Sequence, residues 1–240
     1  MRQTLWRALV APVFAIRTAR ELRGYVRTDP SVEDCLQFIR TSHTRGDCDI
    51  RITQKDSEIH ALCAELTALA PKALVEIGTE GGGTLFLFSA LAADGATIVS
   101  VDLPRPFGGY RRHRALLYRA FARRGQRLEL LRCDSHDPAT QASVVRLLGR
   151  TQLDFLFIDG DHSLAGVRRD YELYGPLVRP GGLIAFHDIV PGAGAGGAPD
   201  FWQELKRTTP HATEELVEDW SQDGFGIGVL RIQCEARHHG

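Results

Sequence analysis

Short apolar runs alternate with helical patterns along most of the chain, and this alternation constrains the fold more than any other feature. Five runs read as buried strands: ALVEIG, TIVSVDL, LELLRC, LDFLFID and GGLIAFHD. Because strand–helix–strand repeats build parallel sheets with right-handed crossovers, we predict an α/β fold with helices on both faces. TEELVED and FGIGVLRI, on either side of a turn at Asp223 and Gly224, predict an antiparallel hairpin that completes a mostly parallel seven-stranded sheet.

The helical patterns between the strands are expected to cover the two faces of this sheet. RALLYRAFARRG predicts a helix that ends at Gly125, and LAGVRRDYELYGPLV predicts a helix between the fourth and fifth strands. A glycine-rich stretch, IVPGAGAGGAPD, follows the fifth strand. We expect it to be either a mobile lid over a substrate or a plain surface linker.

Residues 1–45 precede the alternating region and predict a basic helical extension, followed by a single domain over residues 46–235. Residues 1–27 carry six arginines and one glutamate. We expect an amphipathic helix that packs on the domain or on a partner, with weak contact to a membrane surface and a signal peptide as the alternatives. Ser31 predicts the N-cap of a second helix, with Asp34 three residues later.

Composition narrows the class of protein and its compartment. The chain has 240 residues and a net charge of −1, so no overall positive field points to a nucleic-acid partner. The five cysteines are odd in number and form no CxxC pair, which favours a reducing cytoplasm. No apolar run approaches the ~20 residues that span a bilayer. The sequence does not determine the oligomeric state, and a homo-oligomer is compatible with it.

A glycine-rich loop, VEIGTEGGGTL, follows the first predicted strand. Gly78, Gly81, Gly82 and Gly83 would let the backbone approach a ligand at the N-terminus of the next helix. Asp102 ends the second strand, where a carboxylate can hold both hydroxyls of a ribose. The pattern predicts a nucleoside-bearing cofactor. Because nicotinamide-dependent enzymes have the same glycine loop and acidic residue, the pattern alone does not identify the cofactor.

Ionisable residues follow the fourth and fifth predicted strands. Asp159 ends the fourth strand, and His187 and Asp188 end the fifth, so parallel pairing would bring all three together. Such a set could hold Mg²⁺ or Mn²⁺, which would lower the pKa of a substrate hydroxyl. His162 is a candidate general base, and His187 is the alternative. Helix capping by Asp161 or Ser163 is the competing explanation for part of this run.

Several of these motifs resemble those of a known family. VEIGTEGGGTL with VSVDLP resembles motifs I and II of class I S-adenosylmethionine-dependent methyltransferases, and LLRCDSHD resembles their adenine-contacting segment. FIDGDHSLAGVRRDYELYGPLVRPGGLIAFHD followed by FWQELK is similar to the branch that contains cephalosporin-hydroxylase-like proteins and metal-dependent O-methyltransferases of macrolide sugars, of the Methyltransferase domain family 24 type. The resemblance covers about residues 50–232 and implies a Rossmann-like class I methyltransferase fold.

The resemblance also implies a cofactor, S-adenosyl-L-methionine, and the residues around it. The methionine part would be surrounded by Glu76, Gly78, Thr79 and Gly82, with Gly81 in the same loop. Asp102 would take the ribose, and the adenine would lie along Asp134, Ser135 and His136. In the metal-dependent relatives a carboxylate stands where this chain has His187, and this departure bears on metal binding.

The sequence therefore predicts an enzyme that methylates a hydroxyl of a small molecule, a sugar or another secondary metabolite. His162 would be the base, with assistance from a divalent metal at Asp159 and Asp188. One alternative is a catalytically degenerate member that binds the cofactor or a partner. A nicotinamide-linked oxidoreductase is a more remote alternative, because the chain has neither a Tyr-x-x-x-Lys pair nor a second, substrate-binding domain.

Overall fold

Seven strands form one sheet at the centre of the protein. The computed structural model describes residues 2–41 and 48–233, with side chains from residue 11 onward. The strands are β1 (Ala73–Ile77), β2 (Thr97–Asp102), β3 (Arg127–Arg132), β4 (Leu153–Ile158), β5 (Val178–His187), β6 (Ala212–Leu216) and β7 (Ile227–Arg231). Their order is β3-β2-β1-β4-β5-β7-β6. The first five are parallel, and β7 pairs antiparallel with both β5 and β6. The predicted sheet and its hairpin are confirmed.

Helices cover both faces of the sheet. In the described residues they are α1 (Arg2–Val26), α2 (Val32–Thr41), α3 (Asp56–Leu69), α4 (Gly83–Leu91), α5 (Arg114–Tyr118), α6 (Pro138–Leu148), α7 (Leu164–Tyr174) and α8 (Ala198–Thr208). Successive strand residues point to opposite faces. Leu74 and Phe155 therefore pack in one core cluster with α1 to α5, whereas Val75 and Leu156 pack in a second cluster with α6 to α8.

The N-terminal extension packs onto the domain. Ala15, Ala19 and Leu22 of α1 are buried in the same core cluster as Phe86 of α4. In α2, Ser31 and Asp34 form a capping box: the Ser31 hydroxyl accepts from the Asp34 N–H at 3.2 Å, and the Asp34 carboxylate accepts from the Ser31 N–H at 3.0 Å. The extension thus contributes to the core, whereas the predicted boundary at residue 45 and the predicted end at residue 235 lie outside the described residues.

Two predicted helices end earlier than their sequence patterns suggest. α5 ends at Tyr118 rather than near Gly125, because the N–H groups of Ala120 and Phe121 bond to carbonyls three residues back and the chain turns. α7 ends at Tyr174, where a 3₁₀ turn, Gly175–Leu177, leads directly into β5. Proline at position 176 has no N–H to donate, so it stops the α-helical hydrogen bonds there.

None of the helices within residues 2–41 and 48–233 combines the length and the apolar character that crossing a bilayer requires.

Candidate functional site

The sheet places a cavity where its strand order changes direction. β2 and β3 lie on one side of β1, and β4 and β5 lie on the other, so the crevice between β1 and β4 is the topological switch point. A cavity of about 770 Å³ lies at the carboxyl ends of these strands, a volume typical of small-molecule sites. Eleven of the predicted site residues line it: Gly78, Thr79, Gly81, Asp102, Asp134, Ser135, His136, Asp159, His162, His187 and Asp188.

The glycines of the loop after β1 are required mainly by close packing of the chain against itself. Gly78 has φ of 90°, and a Cβ there would overlap the backbone carbonyl of Asp159. Gly82 has φ of 74°, and a Cβ there would meet the ring of Tyr118. Any larger residue at Gly78 would separate β1 from the end of β4, where Asp159 lies. The loop therefore fixes the distance between the two halves of the cavity.

Two predicted cofactor residues, Glu76 and Gly82, do not line the cavity. Glu76 is fully buried, where its Oε1 accepts a hydrogen bond from the Thr84 hydroxyl at 2.6 Å. Its Oε2 has no hydrogen-bond partner among the described residues. Burial raises the pKa of Glu76 to about 8, against the smaller opposing effect of the Thr84 hydrogen bond. Thr84 does line the cavity, so Glu76 lies one residue behind its wall.

Asp102 ends β2 and faces the loop after β1. Its Oδ2 accepts from the backbone N–H of Glu80 at 2.9 Å and of Thr79 at 3.3 Å. Burial raises the pKa of Asp102, and these hydrogen bonds partly offset that effect. The carboxylate is thus tied to the glycine-rich loop at the edge of the cavity, and its contact with a ribose stays a prediction.

The predicted adenine segment, Asp134, Ser135 and His136, follows β3 and lines the same side of the cavity. The His136 Nε2 lies 3.4 Å from the Oδ1 of Asp170, a fully buried residue of α7 that the sequence analysis did not select. Burial raises the pKa of Asp170 to about 6. A carboxylate on the buried face of α7, between Val167 and Tyr174, is a sequence signal that could have identified it.

The ends of β4 and β5 bring two carboxylates and two imidazoles together. The His187 Nδ1 lies 3.1 Å from the Asp159 Oδ1 and 3.3 Å from the Asp188 Oδ1. The His162 Nδ1 lies 3.1 Å from the Asp188 Oδ2, and its Nε2 lies 3.5 Å from the Asp159 Oδ1. Asp159, His162 and Asp188 each offer one ligand atom within 4.8 Å of the others. The two carboxylates fit a divalent cation such as Mn²⁺, with the His162 imidazole placed either as a third ligand or as a base beside the ion.

The four groups shift one another's protonation. The pKa of Asp159 falls to about 2, because the charge of His187 and hydrogen bonds from both imidazoles outweigh the effect of burial. The hydrogen bond with Asp159 is the main cause that raises the pKa of His162 to about 9. Burial opposes protonation of His187, yet Asp159 and Asp188 together raise its pKa to about 10. The carboxylates therefore keep both imidazoles protonated at neutral pH.

Helix capping accounts for only part of this run of ionisable residues. The Ser163 hydroxyl accepts from the Gly166 N–H at 3.0 Å and is the N-cap of α7. Asp161 accepts from the Ser163 N–H at 2.9 Å. Asp159 and His162 take no part in these bonds, so capping does not explain their presence.

Gln54, just before α3, is a site residue that the sequence analysis missed. Its Nε2 donates to the Asp159 Oδ2 at 2.9 Å. Its Oε1 is buried without a hydrogen-bond partner among the described residues, and the residue lines the cavity. Gln54 and Asp159 are 105 residues apart, and no local pattern marks the pair.

The glycine-rich stretch after β5 forms a wall of the cavity. The Ala193 N–H donates to the Asp223 Oδ1 at 2.8 Å, and the Gly197 N–H donates to the His162 carbonyl at 2.7 Å. The His162 Nδ1 lies 3.0 Å from the Gly194 carbonyl. These bonds join the stretch to the turn before β7 and to His162. A plain surface linker would lack such bonds to the site.

A mostly parallel sheet closed by an antiparallel β7, with a glycine-rich loop and an acidic cavity at its switch point, is typical of the class I S-adenosylmethionine-dependent methyltransferases. The family described as "Methyltransferase domain" matches residues 75–189, from β1 to just beyond β5. The match covers just under half of the chain, and the protein is an enzyme of this class.

Solved structures show the same fold. An O-methyltransferase from Bacillus cereus in complex with SAH is 16% identical, with a TM-score of 0.58, and the match covers 84% of this chain and 92% of that one. The O-methyltransferase TomG from Streptomyces achromogenes, involved in tomaymycin synthesis and solved with SAM, is 15% identical, with a TM-score of 0.55 and coverage of 85% and 89%. At these identities the similarity establishes the fold.

Proposed function

We propose that this methyltransferase acts on a hydroxyl group of a small molecule, such as a sugar or another secondary metabolite. The observation that carries this proposal is the convergence of Asp159, His162 and Asp188 in the cavity that also contains the glycine-rich loop. Carboxylates that can hold a divalent ion beside an imidazole are suited to removing a proton from a hydroxyl. O-methylation by the structural neighbours, each under 25% identical, agrees with it.

The cofactor half of the cavity consists of the loop after β1 and the ends of β2 and β3. When bound, S-adenosyl-L-methionine supplies an electrophilic methyl group on a sulfonium. Asp102 would hold the ribose hydroxyls, and His136, beside the buried Asp170, would lie along the adenine. Glu76 lies behind Thr84, and its buried Oε2 has no hydrogen-bond partner in the part of the chain that the structure describes, so we assign it a role in supporting the methionine end rather than touching it.

The acceptor half consists of the ends of β4 and β5. A divalent ion here would orient the acceptor hydroxyl and lower its pKa. We infer that Asp159 and Asp188 hold this ion. His187, whose side chain is only 4% exposed, would orient both carboxylates through the contacts of its Nδ1. Gln54 would fix the orientation of Asp159 through its amide.

His162 is the group that we propose to take the acceptor proton. Its side chain is 39% exposed toward the cavity, so an acceptor can reach it, unlike His187. A base must be neutral, and the two carboxylates raise the pKa of His162 to about 9. Neutralising these carboxylates lowers that pKa, and binding of a divalent ion to them would have this effect.

Calorimetry with S-adenosylhomocysteine tests the cofactor half. The wild type is expected to bind, and Asp102→Ala is expected to weaken binding about tenfold or more through loss of the ribose contacts. Asp200→Ala, which removes an exposed carboxylate on α8, is the control and should bind like the wild type. Absence of binding by the folded wild type would contradict the proposal.

Manganese titration, followed by electron paramagnetic resonance, tests the acceptor half. Asp159→Asn and Asp188→Asn are each expected to weaken Mn²⁺ binding about tenfold or more, because each removes a charged ligand. Asp161→Asn is the matched control, because Asp161 also lines the cavity but its carboxylate contacts the Ser163 N–H. Equal binding by all three variants would remove Asp159 and Asp188 as ligands.

Release of S-adenosylhomocysteine with a panel of sugar and catechol acceptors tests the base. His162→Gln is expected to lower kcat by about 10²-fold or more, the usual contribution of a general base. Its Mn²⁺ affinity should stay within about threefold of the wild type. Loss of Mn²⁺ binding in this variant would instead assign His162 as a ligand.

A further inference from the structure

A second cavity, of about 390 Å³, lies between the C-terminal end of α1 and the segment that follows α5. It shares no lining residue with the cavity at the strand ends. Its charged lining residues are Arg23, Arg27, Asp29, Arg119, Arg123 and Arg124. Five guanidiniums therefore face one carboxylate, in a chain whose overall net charge is −1.

The single carboxylate is already shared. Asp29 pairs with both Arg123 and Arg124, and Arg124 also pairs at 3.5 Å with Asp94, which does not line the cavity. The remaining three arginines, Arg23, Arg27 and Arg119, are exposed and form no ion pair with any residue that the structure describes. Positive charge thus exceeds what the protein itself neutralises around this cavity.

Arg123 lies at the base of this excess charge. Its side chain is only 7% exposed, and its Nε has no hydrogen-bond partner within the described ranges. Burial, and then the charge of Arg124, lower the pKa of Arg123. Its Nη atoms already meet Asp29 and the Ala90 carbonyl, so a further anion would be attracted by the Nε and by the neighbouring charge of Arg124.

The walls of the cavity are held in place before any ligand binds. The Gln126 Nε2 donates to the carbonyls of Ser89 and Ala92, both at 3.0 Å. The Gln126 Oε1 accepts from the backbone N–H of Arg123 at 2.8 Å. The C-terminal end of α1 presents about half a negative charge, far less than the guanidiniums around it. The net field in the cavity is therefore positive.

We propose that this cavity binds a phosphate-bearing anion, with the guanidiniums of Arg23, Arg27 and Arg119 closing over a ligand that Arg123 and Arg124 meet from below. Arginine forks match phosphate oxygens in geometry as well as in charge. The ligand would contact both the extension and the domain and would hold α1 against the segment after α5. A soluble phosphorylated compound and a phospholipid headgroup share this chemistry. The site is separate from methyl transfer.

Calorimetry with inorganic pyrophosphate at low ionic strength tests the site. Arg27→Ala/Arg119→Ala is the test variant, because both side chains are exposed and lack ion pairs among the described residues. It is expected to weaken binding about tenfold or more. Arg20→Ala is the control, because Arg20 is exposed on α1 but does not line the cavity. This variant should bind pyrophosphate within about twofold of the wild type.

Vesicles distinguish the two sources of phosphate. Pyrophosphate binding that is lost in the double variant supports a soluble ligand. Binding only to phosphatidylglycerol vesicles, and not to phosphatidylcholine vesicles, with the same loss in the double variant and not in Arg20→Ala, supports a lipid headgroup. No binding to either probe, binding undiminished in the folded double variant, or an equal loss in Arg20→Ala would overturn the proposal.

Discussion

The two cavities of this protein have opposite charge, and they differ in how that charge is compensated. Seven carboxylates and one guanidinium line the cavity at the strand ends, whereas five guanidiniums and one carboxylate line the cavity beneath α1. In the first, Asp102 bonds to backbone N–H groups and Asp159 to imidazoles. In the second, three arginines have no ion-pair partner among the described residues. The acidic cavity suits a sulfonium and a metal cation, and the basic cavity suits an anion.

Charge alone therefore does not identify the functional role of a cavity. The acidic cavity is built on the sheet, where the loop after β1 brings backbone donors to Asp102 and the strand ends bring Asp159 and Asp188 together. The basic cavity depends on the docking of α1, which lies outside the residues that match the methyltransferase family, against α5 and the segment after it, which lie within them. The N-terminal extension and the methyltransferase domain therefore share the lining of this cavity.

The largest expected effect comes from breaking the acidic cavity at its floor. Gly78→Ala places a Cβ against the Asp159 carbonyl at a φ of 90°, so the strand ends must separate. We expect a loss of about 4 kcal/mol or more in the free energy of unfolding, together with loss of S-adenosylhomocysteine binding. Urea denaturation and calorimetry measure the two effects.

Gly95→Ala is the control for this substitution. Gly95 also has a positive φ, of 72°, but a Cβ there would meet nothing within 4 Å. It should cost only about 1 kcal/mol, the penalty of the left-handed conformation. Equal losses in the two variants would show that the approach of Gly78 to Asp159 carries no special strain.

A smaller effect follows from the buried acid behind the acidic cavity. The pKa of Glu76 is raised to about 8 in the folded protein, above the ~4.5 of an unfolded chain. Between these values the folded protein keeps a proton that the unfolded chain releases, so stability from this group falls as pH rises from about 4.5 to about 8. Glu76→Gln has no proton to release, so its free energy of unfolding relative to the wild type should rise by roughly 3 to 4 kcal/mol between pH 5 and pH 9.

Urea denaturation of both proteins between pH 5 and pH 9 measures this difference. Because every other titrating group is common to the two proteins, the difference between their free energies of unfolding isolates Glu76. A difference that stays constant over this range would show that Glu76 is not protonated in the folded state.

The smallest effect concerns the single carboxylate of the basic cavity. Asp29 has φ of 56°, which asparagine also tolerates, so Asp29→Asn removes the charge and keeps the backbone. Because its side chain is 51% exposed, we expect a loss of under ~1 kcal/mol, which is smaller at high salt. Pyrophosphate should bind severalfold more tightly, because Arg123 and Arg124 lose a competing anion.

Thermal unfolding at two salt concentrations and calorimetry check this prediction, with Asp200→Asn as the control for loss of an exposed carboxylate. Weaker pyrophosphate binding in Asp29→Asn than in the control would mean that Asp29 organises the arginines rather than competing for them.

The sequence was sufficient for most of the architecture. Alternation of apolar strands and helices predicted the five parallel strands and the closing hairpin, and the Ser31 and Asp34 pair predicted the capping box of α2. The end of α5 was not predicted, because Ala120 and Phe121 continue an apolar pattern that is equally suited to a buried turn. Periodicity reports which side chains are buried, and it does not report which backbone hydrogen bonds hold them.

The candidate site was predicted less completely than the fold. The sequence placed Asp159, His187 and Asp188 together through parallel pairing, and the structure shows that His162 also reaches both carboxylates. Gln54 could not have been selected, because its amide has meaning only once Asp159 lies beside it.

By itself, the sequence determined the local features: the type of each strand and its place along the chain, the glycine-rich loop after β1, and the caps of α2 and α7. The tertiary structure alone decided which charges meet. Arg27 and Arg123 line one cavity although 96 residues separate them, and Glu76 lies behind the wall of the other. Dihedral preferences and periodicity act over a few residues, whereas the neighbours of a charge depend on how the whole chain packs.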